Sequence, residues 1–274
     1  MPGDLSLVVI AHNERERIRD CLSSVPFASE KLVVDSGSTD GTREAAEEAG
    51  ARVLTRPFTT YSDQKRWAAE QAGGDWILSL DADESLDPRL ASTVLCIVSG
   101  TPEHHAYRLR FRVVFHGRPM RFGPWAGESH LRLYRKGSAD YGEAGVHEGL
   151  SASGSVGVAR PGFVIHRSWG TDRDIALKME RYARLWAEEK AAAGRRPSRM
   201  HALLRPAWRL VSGFILKGGF LEGSRGWQAS VHCARYVRLK WMLLEEMELQ
   251  GPAVTNEPGS TPSCSQTGDG EPGT

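Results

Sequence analysis

The sequence predicts an α/β protein with a mostly parallel central sheet, an added antiparallel part and C-terminal helices. Three observations carry this. Short apolar runs alternate with helical patterns through the first hundred residues, as a parallel sheet with helices on both faces requires. Residues 106–170 change to apolar/polar alternation, the mark of antiparallel strands. Helical periodicity then returns at Asp174. In order, Leu5 to Ala11 reads as a buried strand and Glu14 to Val25 as a helix with Ile18, Leu22 and Val25 on one face. Lys31 to Asp35 is a second strand, and Asp40 to Ala49 a helix ended by Gly50. Ala51 to Thr55, Ser62 to Ala72 and Asp75 to Leu80 continue as strand, helix and strand. Tyr107 to Val113 and His130 to Tyr134 alternate, with a turn at His116-Gly117-Arg118. In Asp174 to Ala193, Ile175, Met179, Tyr182 and Trp186 share a helical face, and two more helices follow near 200–216 and 227–248. The division expected is an α/β domain over 1–170, a basic amphipathic helical region over 171–250, and a tail over 251–274. The tail is rich in Gly, Pro, Ser and Thr and is expected to be disordered.

Composition narrows the function classes. With 274 residues, 40% hydrophobic and 25% charged, the chain has the make-up of a globular protein, not a collagen-like or polytopic membrane one. Four scattered cysteines without a C-x-x-C pair argue against a disulfide framework and a thiolate zinc site. No secretory leader is read at the start, and no run of roughly 18 apolar residues occurs. A reduced, cytoplasmic setting is therefore expected. The formal net charge of +1 hides an asymmetry: residues 195–240 hold ten Lys or Arg against Glu222 alone, a local net of 10 − 1 = +9.

In an open parallel sheet, ligands bind beyond the carboxyl ends of the strands. Strand one is followed there by His12-Asn13-Glu14, strand two ends in Asp35-Ser36-Gly37-Ser38-Thr39-Asp40, and strand four in Asp81-Ala82-Asp83-Glu84. Neither a G-x-G-x-x-G fingerprint nor a P-loop is present. Thr39 or Asp40 suits a helix N-cap. Asp35, lying before that turn, suits a donor such as a ribose hydroxyl or a base N–H. Asp81 and Asp83, two residues apart in extended chain, project to the same side. Clustered like charges are costly unless a cation binds, and hard oxygen ligands select Mg²⁺ or Mn²⁺ shared with substrate phosphates.

These stretches resemble the family 2 glycosyltransferases, which have the Rossmann-like GT-A fold. The matching segments are Val8 to Glu14, Val33 to Thr42 and Trp76 to Glu84. The resemblance implies a nucleotide-sugar donor, with a UDP-sugar leading. Ala11, Asn13, Glu14, Asp35, Ser38, Asp81 and Ala82 would bind it: Asp35 the base, Asp81 the ribose side. Asp83 would hold the divalent metal on the diphosphate. Trp125 to Arg135 and Val146-His147-Glu148 look like the bacterial subgroup that adds sugars to the lipopolysaccharide core (the WaaE or KdtX type). By position Glu128 would be the general base, although the subgroup usually carries Asp there. His147 would supply a metal ligand or contact the sugar. His166 also matches a His-containing stretch, and the role of Glu148 stays open. Gln64-Lys65-Arg66-Trp67-Ala68 sits where relatives tend to have Gln and then Asn; Arg66 departs from that and is read as a surface residue.

Arg205 to Gly223 interleaves Trp, Phe and Leu with cations, and its Lys217 to Gly223 segment again resembles the core-sugar subgroup. A basic amphipathic helix in the plane of an anionic membrane is the reading. Simple packing of the helices on the catalytic part is the alternative. Nucleic acid is not expected, because no recognition motif accompanies the charge. The expected activity is inverting, metal-dependent transfer of a sugar to a hydroxyl of a lipid-linked, lipopolysaccharide-core-like glycan, by a protein peripheral on the inner face of the cell membrane. Another envelope glycan, a polysaccharide or a protein is the alternative acceptor. A nucleotidyltransferase would need a Gly- and Arg-rich loop with a Lys after strand one, where His12-Asn13-Glu14-Arg15 stands. A non-catalytic membrane module would have no use for Asp81-Ala82-Asp83.

Overall fold

A computed structural model of the chain describes residues 3–142, 149–167 and 172–250. His147, Glu148 and the tail from Gly251 lie outside the described residues. A ten-stranded sheet runs in the order β3-β2-β1-β4-β8-β6-β12-β5, with β7 and β11 also pairing with β6. Its first half is parallel: β1 (Leu5–Ala11) lies between β2 (Glu30–Asp35) and β4 (Trp76–Asp81), and β3 (Arg52–Thr55) is the edge. The chain steps outward from β1 to β3 and then returns to β4 on the other side of β1. That reversal opens a crevice at the carboxyl ends of β1 and β4.

The apolar runs are buried on both faces, as central parallel strands require. Leu5, Leu7, Val9 and Ala11 join one core with Ile18 and Leu22 of α1 (Arg15–Ser23) and with Leu90 and Val94 of α4 (Pro88–Ser99). Val8, Leu32, Val34 and Ile77 join a second core with Ala68 and Ala72 around α3 (Tyr61–Gln71). α2 (Thr42–Glu48) bridges β2 and β3. Helix starts follow their caps: Thr60 accepts from the Asp63 N–H at 3.2 Å, and Asp87, before Pro88, accepts from Leu90 N–H at 2.7 Å.

The second half departs from a purely antiparallel expectation. β8 (Ser129–Arg135) is antiparallel to both β4 and β6 (Ala106–Phe115), yet β11 (Val156–Val158) and β12 (Val164–His166) run parallel to β6. β12 is antiparallel to β5 (Glu84–Leu86), which sets His166 opposite Glu84. β7 (Arg118–Pro119) returns from β6 through the His116-Gly117 turn, and β9 (Ala139–Tyr141) with β10 (Leu150–Ala152) forms a separate small sheet.

Three helices complete the chain: α5 (Asp172–Ala192), α6 (Arg199–Val211) and α7 (Ser224–Gln250), with a π turn over Ser212–Leu216 and a 3₁₀ turn over Gly219–Glu222 between the last two. Ile175, Met179 and Ala229 pack with Phe115 of β6, and Ala183, Ala187, Trp241 and Leu244 pack together further out. The 3₁₀ turn lies so close to α7 that a Cβ at Gly226 would stand 1.8 Å from the Gly219 carbonyl oxygen. This turn anchors the segment before Glu128: the Glu222 carboxylate accepts from the N–H groups of Arg121 (2.7 Å) and Phe122 (3.2 Å).

Candidate active site

The first wall of the crevice joins the loops after β1 and β2. Asp35 is buried, and its Oδ2 accepts from the Gly37 and Ser38 N–H groups at 3.1 and 3.0 Å. The Ser38 hydroxyl donates to its other oxygen and accepts from Asn13 N–H at 2.9 Å. Asn13 holds a left-handed backbone (φ 55°) and accepts from Thr39 N–H through Oδ1 at 2.9 Å. Glu14 N–H donates to Thr42 Oγ1 at 2.8 Å, and Asp40 caps the turn by accepting from Thr42 N–H at 3.0 Å. Asn13, Asp35 and Ser38 thus form one hydrogen-bonded unit beside Ala11, and Glu14 is tied separately to Thr42. Gln64 supports it from α3, donating from Nε2 to Ser36 Oγ (3.1 Å) and the Arg56 carbonyl (3.2 Å).

The second wall is the end of β4. Asp81 meets Lys65 Nζ at 2.5 Å and an Arg132 guanidinium nitrogen at 3.0 Å, and that same nitrogen reaches Glu84 Oε1 at 2.7 Å. Glu84 Oε2 accepts from Asp81 N–H at 2.9 Å. Burial alone would raise the Asp81 carboxyl, but Lys65 and Arg132 outweigh it and hold the group far below the usual carboxylate range. Burial pushes Glu84 up to about 7 against the opposing pull of Arg132. The like-charge cost foreseen for Asp81 and Asp83 is therefore relieved at Asp81 by two side chains of the protein itself. Lys65 and Arg132 were not singled out from the sequence. Arg66, beside Lys65, pairs with Asp140 at 3.2 Å and donates to the Tyr141 carbonyl, which fits its surface reading.

Asp83 is differently placed. Its Oδ2 lies 3.4 Å from His166 Nε2 and 4.0 Å from Lys178 Nζ of α5. Burial opposes its ionisation, yet these partners lower its pKa, and Asp83 in turn raises that of His166 against burial. Among the described residues, no group of three or more His, Cys, Asp or Glu is arranged to hold a metal. A carboxylate facing an imidazole still fits an ion that keeps several waters and is completed by substrate phosphates.

Glu128 forms the third wall. Its carbonyl accepts from Phe111 N–H at 2.9 Å, fixing it to β6. The loop before it is tied to the turn after α6: Gly123 N–H donates to the Lys217 carbonyl at 2.9 Å, while Lys217 Nζ and Arg209 reach the Pro124 carbonyl at 3.2 and 3.3 Å. Burial raises the Glu128 carboxyl, although Lys217, Arg209 and His166 pull it down. A carboxylate of raised pKa suits proton abstraction near neutral pH. It lines a cavity of about 400 Å³ between Trp125, α5, α6 and α7. A larger cleft of about 980 Å³ beside α4 includes none of these residues.

Comparison with known proteins gives the family and the fold. Residues 6–119 match the model for glycosyl transferase family 2. A lipopolysaccharide core biosynthesis glycosyltransferase, LpsC, from Rhizobium meliloti is 31% identical over 81% of this chain and 87% of its own. The chain belongs to glycosyl transferase family 2. An uncharacterised glycosyltransferase of Rickettsia bellii is 29% identical over 92% of this chain and 90% of that one. Among solved structures, the Pyrobaculum calidifontis mannosyltransferase PcManGT, in complex with GDP-Man and Mn²⁺, shares the fold. It matches at TM-score 0.52 and 14% identity over 89% of this chain and 87% of that one. This family 2 transferase accordingly has the GT-A fold expected from its sequence, and it is an enzyme acting on sugars. Among the described residues, no helix is long and apolar enough to cross a membrane.

Proposed function

We propose that this chain is an inverting, metal-dependent transferase that moves a sugar from a nucleotide-sugar donor, a UDP-sugar foremost, to a hydroxyl of a lipid-linked glycan of the lipopolysaccharide-core kind. The observation that carries this is the division of acids across the crevice. Asp35, Asp81 and Asp83 lie at strand ends on one side and Glu128 stands apart beside its own cavity. The relative from Rhizobium meliloti bears a lipopolysaccharide-core name, and PcManGT was solved with a nucleotide sugar and Mn²⁺.

In this reading the Asn13–Ser38–Asp35 unit binds the nucleoside, with Glu14, Ala11 and Ala82 lining it. Asp81, clamped by Lys65 and Arg132, is a fixed platform for the ribose side, because a carboxylate held by two cations cannot swing. Asp83 and His166 would hold Mg²⁺ or Mn²⁺, His147 lying outside the described residues. Such an ion supplies charge neutralisation of the departing diphosphate when bound. Lys178 lies near enough to Asp83 to add positive charge on that side. Glu128 accepts the proton of the acceptor hydroxyl as that oxygen attacks the anomeric carbon from the face opposite the diphosphate, which inverts the configuration.

We place the reaction at an anionic membrane surface. Support comes from the exposed apolar row Leu203, Leu204, Trp208, Leu216, Phe220 and Leu221, next to Arg205 and Lys217. No nucleic acid partner is needed. The test is a screen of UDP-, GDP- and dTDP-sugars with lipopolysaccharide-core acceptors, read as acceptor-dependent release of nucleoside diphosphate and as product configuration by NMR. Retention of configuration would overturn the assignment of Glu128.

A further inference from the structure

The cavity beside Glu128 has a charge balance that general-base chemistry alone does not explain. Arg209 of α6 and Lys240 of α7 both line it, and Glu128 is the one acid among its lining residues. Among the described residues, neither Arg209 nor Lys240 has a carboxylate at ion-pair distance. Arg209 donates to the Pro124 carbonyl at 3.3 Å and to the Cys233 thiol. Lys240 is held by rings, its Nζ standing 4.8 Å from the centre of Trp186 and 4.7 Å from that of Tyr236. Burial lowers its pKa, and Arg205, Arg209 and Lys190 lower it further, so the local field is cationic.

Partly desolvated cations that outnumber the nearby acid are costly, since Glu128 alone faces Arg209 and Lys240, and an oxyanion entering between them lowers that cost. A guanidinium is suited to a two-pronged grip on phosphate or carboxylate, and an ammonium adds a point charge. The volume, about 400 Å³, falls at the lower end of small-molecule sites, which span roughly 300–1,000 Å³. Trp125 and Tyr236 supply aromatic walls, and Tyr182, hydrogen-bonded to Tyr61 of α3, closes the side toward the crevice.

We propose that this cavity is an acceptor subsite that binds an oxyanion carried by the acceptor glycan, gripped by Arg209 and Lys240 beside the hydroxyl that Glu128 deprotonates. The substrate class is thus an anionic glycan, phosphorylated or carboxylated close to the point of attachment. The inference rests on the reading of Glu128 as base, and the experiment separates the two.

The probe is inorganic phosphate acting on the full-length protein. Lys240 is labelled with acetic anhydride and followed by peptide mass spectrometry, with Lys31, far from the cavity in β2, as the internal control. Phosphate at about 20 mM should slow Lys240 labelling at least about fivefold, as mass action requires of a site half-filled near 5 mM. Lys31 labelling should not change, and Arg209→Gln should remove the protection. Glucuronate should protect if carboxylates are also accepted. In Glu128→Gln, protection should persist or strengthen while transfer falls. Persistent protection with undiminished transfer in that variant would refute the base assignment and leave the subsite standing. Absence of phosphate protection in the wild-type protein would overturn the proposal whatever Glu128 does. Protection by UDP with Mn²⁺ at lower concentration than phosphate would assign the cavity to the donor diphosphate. Protection by phosphatidylglycerol vesicles but not by phosphate would assign it to lipid headgroups. Either of those results also overturns it.

Discussion

Arg132→Met is expected to destabilise the fold strongly and in a pH-dependent way. The Arg132 side chain is 12% exposed and bridges Asp81 and Glu84, the latter 1% exposed. Methionine keeps much of the volume but removes the charge. Asp81 retains Lys65 at 2.5 Å; Glu84 loses its one cation within ion-pair distance among the described residues. Breaking a buried pair from one side costs about 3–5 kcal/mol, a large share of a typical 5–15 kcal/mol stability. The pH dependence follows from Glu84, whose folded pKa is already raised by burial from 4.5 to about 7. A group raised in this way contributes stability that is fully present below its unfolded value and is lost as pH rises through its folded value. Removing Arg132 raises the folded value further, so the penalty grows with pH. At pH 5.5 Glu84 is neutral in the variant, and the cost should shrink to about 1–3 kcal/mol, that of unpaired neutral polar groups. Urea unfolding of both proteins at pH 5.5 and pH 8 measures this. A loss below about 1 kcal/mol at pH 8, or a larger loss at pH 5.5 than at pH 8, would refute the reasoning.

Glu128→Gln should lower transfer by roughly 10²–10⁴-fold with nucleoside diphosphate affinity unchanged by calorimetry. Its melting temperature should not fall, since the amide removes a buried charge whose pKa is raised. Gly226→Ala should cost about 1–3 kcal/mol by overpacking against the Gly219 carbonyl, and should reduce transfer because the displaced turn carries Glu222 and follows closely on Lys217, which together hold the Glu128 loop. Binding to phosphatidylglycerol vesicles in sedimentation assays should weaken steeply with salt, with each cation near the surface contributing about 1 kcal/mol. Replacing both Leu216 and Phe220 by Ser should weaken that binding at least about tenfold, since these side chains are 64% and 53% exposed and free to enter the interface.

The parallel half of the sheet was legible because buried parallel strands must be apolar runs, and ligands in such sheets bind beyond the strand ends. Ala11-His12-Asn13, Asp35 and Asp81-Ala82-Asp83 mark those ends in the sequence. Strand direction beyond residue 106 was not legible: alternation in β6 is the same whether the neighbour runs parallel or antiparallel, and connections decide it. Arg132 escaped for a local reason. The pairing of β8 with β6 goes from Leu131 to Leu133 opposite consecutive residues, so Arg132 is the extra residue of a β-bulge. A bulge breaks alternation and re-aims a side chain, and nothing in His130-Leu131-Arg132-Leu133 marks it. Lys65 escaped because one cation on a polar helix reads as solvated; its partner Asp81 is fixed by tertiary structure alone. Family likeness drew attention to His166 without giving it a role; its approach to Asp83 depends on β12 pairing with β5. The exposure of the apolar side chains around Phe220 likewise needed the structure, because sequence alone does not say which face of α6 is covered.

The most direct test of the central claim is Mn²⁺-dependent transfer by Asp83→Ala compared with the wild-type protein, using the donor selected by the screen at saturating metal. In the proposed reading the carboxylate serves the leaving group, so the variant should lose transfer by orders of magnitude; it forfeits the contacts of Asp83 with His166 and Lys178 but opens no apolar cavity, so it should remain folded by circular dichroism. Retention of more than about a tenth of wild-type activity would contradict the account, because a metal contribution of several kcal/mol cannot be lost so cheaply.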